Sequence, residues 1–259
     1  MKALLPSLLL TLGAGGQLSA AIIEQPLEYK SGEVVCEGWQ AYDDTVTGKR
    51  PGVLVVHQWT GISDHEKEAA RKLATLGYNV LVADIYGKGI RPQPPAAGKE
   101  AGKYKGDRPL LRARANAALD VLARDVRTDA SKLAATGYCF GGTSVLELAR
   151  SGAALKGVVS FHGGLDSPTP ADGKNIKAKV LALHGADDPY VPAKDVAAFE
   201  AELKAAGVDY KLVKYPGAVH SFTHKAAGDD NSKGAAYNAP ADRDSWFQME
   251  QFLKQAFAR

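Results

Sequence analysis

The chain has 259 residues, of which 45% are hydrophobic and 24% charged, so it has enough apolar material for a buried core and is not disordered. Its 32 Lys and Arg against 29 Asp and Glu give a net charge of +3, which is too balanced for a nucleic-acid-binding protein. Two cysteines, no glycine period and no long heptad run exclude a disulfide scaffold, collagen and a coiled coil. A soluble globular protein, most simply an enzyme, is what remains.

The first residues have the pattern of an export signal peptide. Lys2 supplies a positive charge, residues 3–12 form an apolar run shorter than the roughly 20 residues that span a membrane, and residues 19–21 are small. We therefore expect residues 1–21 to be a cleaved signal peptide, with cleavage after Ala20 as an alternative. The mature protein would be exported, into the periplasm if the cell is Gram-negative, and would not contact the membrane. An apolar N-terminus on a cytosolic protein is the other possibility.

The rest of the chain alternates between strand and helix patterns. In chain order, strands are predicted over residues 33–42, 52–57, 80–83, 132–136, 157–161, 180–184 and 210–213. Helices are predicted over residues 64–76, 109–123, the segment after Gly141, 193–206 and 245–257. Residues 87–109 and 228–241, which are rich in glycine with proline or polar residues, are predicted to be loops. Loops as long as the first are often functional covers.

This alternation predicts an α/β fold, in which a mostly parallel central sheet carries helices on both faces. No segment has the composition of an interdomain linker, so residues 22–259 are expected to form a single domain. In such a sheet the ligand crevice lies at the carboxyl ends of the strands. The loops that follow the strands are therefore the place to look for functional residues.

A cysteine flanked by glycines lies between a predicted strand and a predicted helix. Residues 137–141 read Gly-Tyr-Cys-Phe-Gly, the G-x-nucleophile-x-G pattern of a nucleophile elbow with Cys139 in the place of serine. Such a turn is too tight for side chains at the flanking positions, which accounts for the glycines. A helix starting just after Cys139 would favour its thiolate through the helix dipole. The simpler alternative is a small buried cysteine in a glycine-rich turn.

Candidates for an acid and a base follow the cysteine in the order that this kind of site requires. Asp187 and Asp188 come after the strand predicted at residues 180–184, and His220 comes after the strand predicted at 210–213. His220 would take the proton of the thiol and later activate water. One of the aspartates would hold the imidazole ring in the right tautomer and stabilise its charged form.

These motifs together resemble the dienelactone hydrolase family, a cysteine branch of the α/β-hydrolases. The likeness covers most of the mature chain and is carried by residues 137–142, 184–192 and 217–222, with further similarity at residues 57–61 and 84–86. It implies hydrolysis of a small ester or lactone, without a cofactor, by nucleophile Cys139, base His220 and acid Asp188. Asp187 is the alternative acid.

The resemblance also implies an oxyanion hole. In this fold one donor is the backbone N–H after the nucleophile and the other comes from the loop after an early strand, which places the two at Phe140 and Trp59. Both donors belong to the main chain, so the side chains are free to shape the pocket. The Trp59 ring could equally be plain packing.

The sequence departs from the family pattern at two positions. Gln58 stands where dienelactone hydrolase carries a glutamate that takes part in controlling the thiol, and a glutamine cannot accept a proton as a carboxylate does. Lys88 stands where the family places an arginine that binds the substrate carboxylate, and Arg91 is close by. The resemblance therefore implies that Gln58, Lys88 and Arg91 contact the substrate, more loosely at Lys88 because lysine lacks the bidentate fork. For the two cations, solvated loop charges are the alternative.

Other residues suggest no further chemistry. His57, His162 and His184 each end a predicted strand, and packing around the crevice is favoured over a metal site. No phosphate-binding glycine-rich loop is present in the sequence, so neither nucleotide nor flavin is implied. Cys36 is expected to be a buried free thiol rather than a disulfide partner of Cys139.

The sequence thus predicts a monomeric or dimeric hydrolase that acts on a small ester or lactone through an acyl-cysteine intermediate. Three alternatives stay open: a thioesterase or acyltransferase using the same triad, a non-catalytic binding protein that kept the fold, and a thiol-based redox sensor at Cys139.

Overall fold

The computed structural model describes residues 21–258, so the predicted signal peptide lies outside the described residues except for Ala21. The strands are β1 Ile22–Ser31, β2 Val34–Asp43, β3 Arg50–Val56, β4 Asn79–Ala83, β5 Thr128–Tyr138, β6 Gly157–Phe161, β7 Lys179–Gly185 and β8 Tyr210–Tyr215. The α-helices are α1 Asp64–Thr75, α2 Ala96–Gly106, α3 Arg108–Arg124, α4 Phe140–Arg150, α5 Ala193–Ala205 and α6 Ala239–Phe257. None of these helices is long and apolar enough to cross a membrane.

The strands of the described chain form one sheet in the order β1-β2-β4-β3-β5-β6-β7-β8. The pairs β1–β2 and β2–β4 are antiparallel, and all later pairs are parallel. The sheet is therefore mostly parallel, as the sequence predicts. The carboxyl ends of β3, β5, β6, β7 and β8 meet at the same end of the sheet, where the loops with candidate site residues begin.

Alternating residues of the central strands build two separate cores, one on each face of the sheet. On one face, Leu54 and Val56 of β3 pack with residues of α3, α4 and α5. On the other, Val53 and Val55 pack with residues of α1 and α6. Burial on both faces explains why β3 reads as an uninterrupted apolar run rather than an alternating one.

Two elements differ from the prediction. Strand β1 was not predicted, because its ten residues include Pro26 and several charged side chains and it lies at the edge of the sheet, where one side faces solvent. The prediction of one long loop over residues 87–109 is wrong in its second half, since α2 occupies Ala96–Gly106. The buried face of α2 is formed by Ala97, Ala101 and Tyr104, a helical spacing that the glycines and lysines between them conceal.

Helix boundaries also differ where caps decide them. Ser63 caps α1, in a reciprocal capping box with Glu66, which sets the start of the helix at Asp64. Helix α6 begins at Ala239, six residues before the predicted start at Ser245, because the side chain of Asn238 accepts a hydrogen bond from the amide of Ala241. The last residues of the predicted 228–241 loop thus belong to a helix.

A buried ionic cluster fixes α4, the helix that follows Cys139. The Arg150 guanidinium, at the end of α4, donates to both carboxylate oxygens of Glu202 on α5, at 2.8 and 2.7 Å, and to Glu147 at 3.0 Å. Glu147 also accepts from Arg112 of α3 at 2.8 Å. Because unpaired buried charge is costly, each group in this cluster holds the others in place, and α4 is tied to both α3 and α5.

Candidate active site

Cys139 occupies a sharp turn between β5 and α4. Its backbone has φ 54° and ψ −114°, a strained conformation for a residue with a side chain. A Cβ on Gly137 would lie 2.2 Å from the carbonyl oxygen of Gly141, and one on Gly141 would lie 2.1 Å from that of Val56. The glycines of the motif are therefore required by backbone packing, and the turn presents the thiol at the carboxyl end of the sheet.

The predicted nucleophile, base and acid lie within hydrogen-bond distance in that order. His220 Nε2 is 3.0 Å from Cys139 Sγ, and His220 Nδ1 is 2.8 Å from Asp188 Oδ2. The other oxygen of the buried Asp188 carboxylate accepts the amide N–H of Tyr190 at 2.8 Å. The carboxylate of Asp187 instead accepts the amide N–H of Gly217 at 3.0 Å. The geometry thus joins Asp188, not Asp187, to the histidine.

The charges around His220 favour its imidazolium form. Burial alone lowers the pKa of this histidine, but the Cys139 sulfur and the Asp188 carboxylate together raise it to about 10. At neutral pH the ring therefore holds a proton on both nitrogens, with Nδ1–H directed to Asp188 and Nε2–H to the sulfur.

Two residues that line the cavity beside Cys139 have backbone N–H groups without a hydrogen-bond partner in the described chain. Trp59 and Phe140 line, together with Cys139 and His220, a cavity of about 190 Å³. Within residues 21–258, neither the amide of Trp59 nor that of Phe140 donates a hydrogen bond. The loop that carries Trp59 is fixed at its carbonyl, which accepts the Tyr86 hydroxyl at 2.9 Å. Fixed and unused donors of this kind are suited to a developing oxyanion.

His162, which the sequence suggested only as packing, holds the nucleophile turn. The amide N–H of Cys139 is shared between the Phe161 carbonyl oxygen at 3.0 Å and His162 Nδ1 at 3.1 Å. The ring proton of His162 is therefore on Nε2, which donates to the Thr223 hydroxyl at 2.9 Å. Burial lowers the pKa of His162, and so does the positive charge of His220, which keeps the ring neutral. The backbone of His162 has φ +38°, so both His162 and Cys139, which are joined by this hydrogen bond, have a strained positive φ.

We expect His162→Asn to lower the free energy of unfolding by about 2–4 kcal/mol, because it empties a buried site and removes two hydrogen bonds while tolerating the positive φ. The turnover number should fall more than the KM rises, since the nucleophile turn loses a support. Urea denaturation and steady-state ester hydrolysis measure the two effects. Thr223→Val, which removes only the outer hydrogen bond, should cost less on both scales. Wild-type stability in His162→Asn would contradict this role.

The three predicted substrate-binding side chains do not line the cavity beside Cys139. Gln58 is buried along a neighbouring cavity, with its amide nitrogen 3.4 Å from His224 Nδ1. The exposed Lys88 ammonium forms ion pairs with Glu28 and Glu37. Arg91 lies 3.4 Å from the buried Asp84 carboxylate and donates to the carbonyl of Ile90 at 2.8 Å. Both cations thus have acidic partners, although Arg91 also lines the neighbouring cavity that contains Gln58.

Other residues line the cavity in their place. They come from α2, α4 and the loops after β6 and β7, and are Ala101, Lys105, Thr143, Gly164, Tyr190 and Val191. The sequence predicts a loop where α2 lies, so it does not indicate that Lys105 lines the cavity. The apolar spacing of Ala97, Ala101 and Tyr104 was the available signal.

The remaining thiol and histidines suggest no second centre. Cys36 is buried in β2 and free, as the sequence predicts, and Cys139 is free as well. In the described part of the chain, no group of three His, Cys, Asp or Glu residues is arranged to hold a metal ion.

Comparison with known proteins identifies relatives of this chain. A profile of the dienelactone hydrolase family matches residues 37–257. The chain is similar to a protein from metagenomic libraries described as a dienelactone hydrolase-like promiscuous phosphotriesterase, P91. The two are 39% identical, with a TM-score of 0.87 over 92% of this chain and 100% of that one. A Yersinia pestis protein named "Putative carboxymethylenebutenolidase" is 27% identical over 237 residues, 83% of this chain and 82% of the relative.

A more distant likeness shows the fold alone. A Pyrococcus horikoshii acylaminoacyl peptidase is 14% identical to this chain and superposes with a TM-score of 0.70, covering 96% of this chain and 44% of that one. Together with the structure from metagenomic libraries, it confirms the predicted α/β-hydrolase fold.

Proposed function

The chain belongs to the dienelactone hydrolase family and is a hydrolase, and from that premise we propose that it cleaves small carboxylic esters or lactones through an acyl-cysteine intermediate. The observation that carries the proposal is the position of His220, with one ring nitrogen 3.0 Å from Cys139 Sγ and the other 2.8 Å from Asp188. This contact chain gives the thiol a base and gives the base an orienting carboxylate.

In the first half of the proposed reaction, the Cys139 thiolate attacks the carbonyl carbon of the substrate. The carbonyl oxygen becomes negative and accepts hydrogen bonds from the amides of Trp59 and Phe140. The C–O bond to the leaving alcohol then breaks, and that oxygen takes the proton from His220 Nε2. An acyl thioester on Cys139 remains, and for a lactone the alcohol stays attached to the acyl group.

In the second half, the neutral His220 Nε2 accepts a proton from a water molecule that attacks the thioester. The C–S bond breaks, the carboxylic acid leaves, and the thiolate–imidazolium pair is restored. Asp188 accepts the Nδ1–H bond throughout, which keeps Nε2 directed at the reacting atoms. Activation of the thiol by His220 needs no carboxylate at residue 58, so the glutamine there is compatible with this scheme.

Rapid mixing of the protein with p-nitrophenyl acetate tests the proposal. We expect a burst of p-nitrophenol close to one equivalent, followed by slower turnover, and an acetyl group on Cys139 in the quenched protein by mass spectrometry. Cys139→Ala should give neither, while Cys36→Ala should keep both. Paraoxon belongs in the substrate panel, because the relative from metagenomic libraries is described as a promiscuous phosphotriesterase.

The same experiment separates the alternatives. A burst whose second phase accelerates only when an alcohol or amine is added, with transfer of the acetyl group to it, would favour an acyltransferase. An unreacted protein with an accessible Cys139 thiol would overturn the esterase proposal and favour a binding protein or a redox sensor. Peroxide titration of that thiol then distinguishes these two.

We also propose that the protein is exported, on the strength of residues 1–21. N-terminal sequencing of the protein from a periplasmic extract should begin at Ile22, or at Ala21 for the alternative cleavage site. An intact Met1 on protein confined to the cytoplasm would contradict export.

A further inference from the structure

One lysine reaches the cavity that holds Cys139 and His220. Lys105 lies in the last turn of α2 and, apart from His220, is the one basic residue among those described that line this cavity. The rest of the lining consists of apolar residues, a glycine, a threonine and the cysteine itself. Lys105 is itself exposed to solvent, so the one lysine of a largely apolar lining is also in contact with water.

The Lys105 ammonium has no ion pair within residues 21–258. A Cβ built on Gly164 would lie 3.5 Å from Lys105 Nζ and 3.0 Å from Asp166 Oδ1, so the ammonium and this carboxylate flank the same glycine. The carboxylate, however, is bound to Arg108 at 2.6 Å. By contrast Lys103, two residues earlier on α2, lies 3.8 Å from Glu100.

The position of Lys105 is set by the packing of α2. Tyr104 is buried and donates its hydroxyl hydrogen bond to the carbonyl of Tyr86 at 3.1 Å, while Ala101 is buried one turn earlier. Tyr86 in turn donates to the carbonyl of Trp59, the residue that supplies one oxyanion donor. The same contacts therefore place the lysine and the oxyanion loop relative to each other.

An ammonium without an acidic partner attracts an anionic group of a bound molecule, and because Lys105 is exposed, solvent screening keeps this attraction modest. We propose that Lys105 is a specificity-determining residue that binds a carboxylate carried by the ester or lactone substrate. It does so in place of Lys88 and Arg91, whose charges are taken up by Glu28, Glu37 and Asp84. This inference rests on the proposed hydrolase function for its substrate, and it assigns the charge recognition to α2.

Paired substrates that differ only in charge test the assignment. The mono-p-nitrophenyl ester of adipic acid carries a free carboxylate, and its methyl diester does not; 4-acetoxybenzoate and its methyl ester form a second pair with the charge on the leaving group. For the pair that Lys105 recognises, Lys105→Met should lower the ratio of kcat/KM, anionic over neutral, about two- to fivefold, mainly through KM. Lys105→Arg should restore most of the ratio, and Lys103→Met should leave it at the wild-type value. Equal changes for both members of both pairs would overturn the proposal.

Alkylation of Cys139 gives a second test that does not require hydrolysis. Iodoacetate carries a carboxylate and iodoacetamide does not, and both transfer their carbon to the thiolate with loss of iodide. Lys105→Met should lower the ratio of the two rate constants severalfold, and Lys105→Glu should lower it further. If the esters are not hydrolysed but this ratio falls, the hydrolase proposal fails and the anion site stands. An unchanged ratio in both variants, with unchanged ester selectivity, would remove Lys105 from substrate recognition.

Discussion

Asp188→Asn is expected to lower kcat/KM for ester hydrolysis by roughly 10³–10⁴-fold. In the wild type the carboxylate accepts a hydrogen bond from His220 Nδ1–H at 2.8 Å, which leaves Nε2 aimed at the sulfur. An asparagine amide can donate to Nδ1 instead, which moves the ring proton of neutral His220 to Nε2, where it can no longer accept a proton from water. Steady-state hydrolysis of p-nitrophenyl acetate by purified, folded variants measures the effect.

Asp187→Asn is the matched control, because the adjacent carboxylate binds only the exposed amide of Gly217 and does not touch His220. It should keep kcat/KM within about threefold of wild type, in line with the small effects of surface changes. If the two substitutions had equal effects, or if Asp187→Asn were the more damaging, the assignment of the acid to Asp188 would be wrong.

Asp188→Asn should also change the pH dependence of kcat/KM. Cys139 and Asp188 raise the pKa of His220 to about 10 against the effect of burial. For an alkyl ester, whose leaving alkoxide needs the imidazolium proton, wild-type kcat/KM should therefore hold through pH 8 and fall near pH 10. In Asp188→Asn the alkaline fall should move to lower pH, since one of the charges that retains the proton is gone. A pH-stat assay with ethyl butyrate follows this limb.

The raised pKa of His220 should also make the free energy of unfolding depend on pH. The folded protein retains a proton on His220 that the unfolded chain loses near the ordinary pKa of 6.5. The contribution of this group is therefore complete below about pH 6.5 and is lost as pH rises toward 10. Urea midpoints of wild type and His220→Gln should converge over that window.

The elements that could be foreseen are those whose signal is local. Strand β3 is a continuous apolar run, and residues 137–141 indicate a tight turn through glycines that backbone packing requires. Each of the three candidate residues, Cys139, Asp188 and His220, follows a different predicted strand. Their meeting at one end of the sheet needs only the parallel topology.

What could not be foreseen depends on contacts between distant segments. The family resemblance places Lys88 and Arg91 at the substrate, yet their acidic partners lie on β1, on β2 and directly after β4. His162 supports the turn at Cys139 through a hydrogen bond to the Cys139 amide, which lies at the end of the neighbouring strand, and its own backbone is strained. Such assignments require three-dimensional distances, since neither spacing nor residue type distinguishes them.

Gly141→Ala is expected to destabilise the fold strongly. The new Cβ would lie 2.1 Å from the carbonyl oxygen of Val56 and 2.7 Å from that of His57. Both are backbone atoms at the end of β3, the central strand, so relief requires moving the strand or α4. We expect the free energy of unfolding to fall by at least about 4 kcal/mol, beyond the usual cost of overpacking.

Gly102→Ala is the control, because it makes the same glycine-to-alanine change at a position with open space around it. Gly102 lies inside α2, and a Cβ added there would meet no heavy atom within 4 Å, so Gly102→Ala should raise stability by up to about 1 kcal/mol through helix propensity. Any folded fraction of Gly141→Ala should also hydrolyse esters slowly, because displacing α4 moves the Phe140 amide away from the developing oxyanion. Urea denaturation with burst kinetics on the soluble fraction separates the two losses. A Gly141→Ala protein with wild-type stability would mean that the elbow can open, and the requirement for glycine would then lie in catalysis rather than in folding.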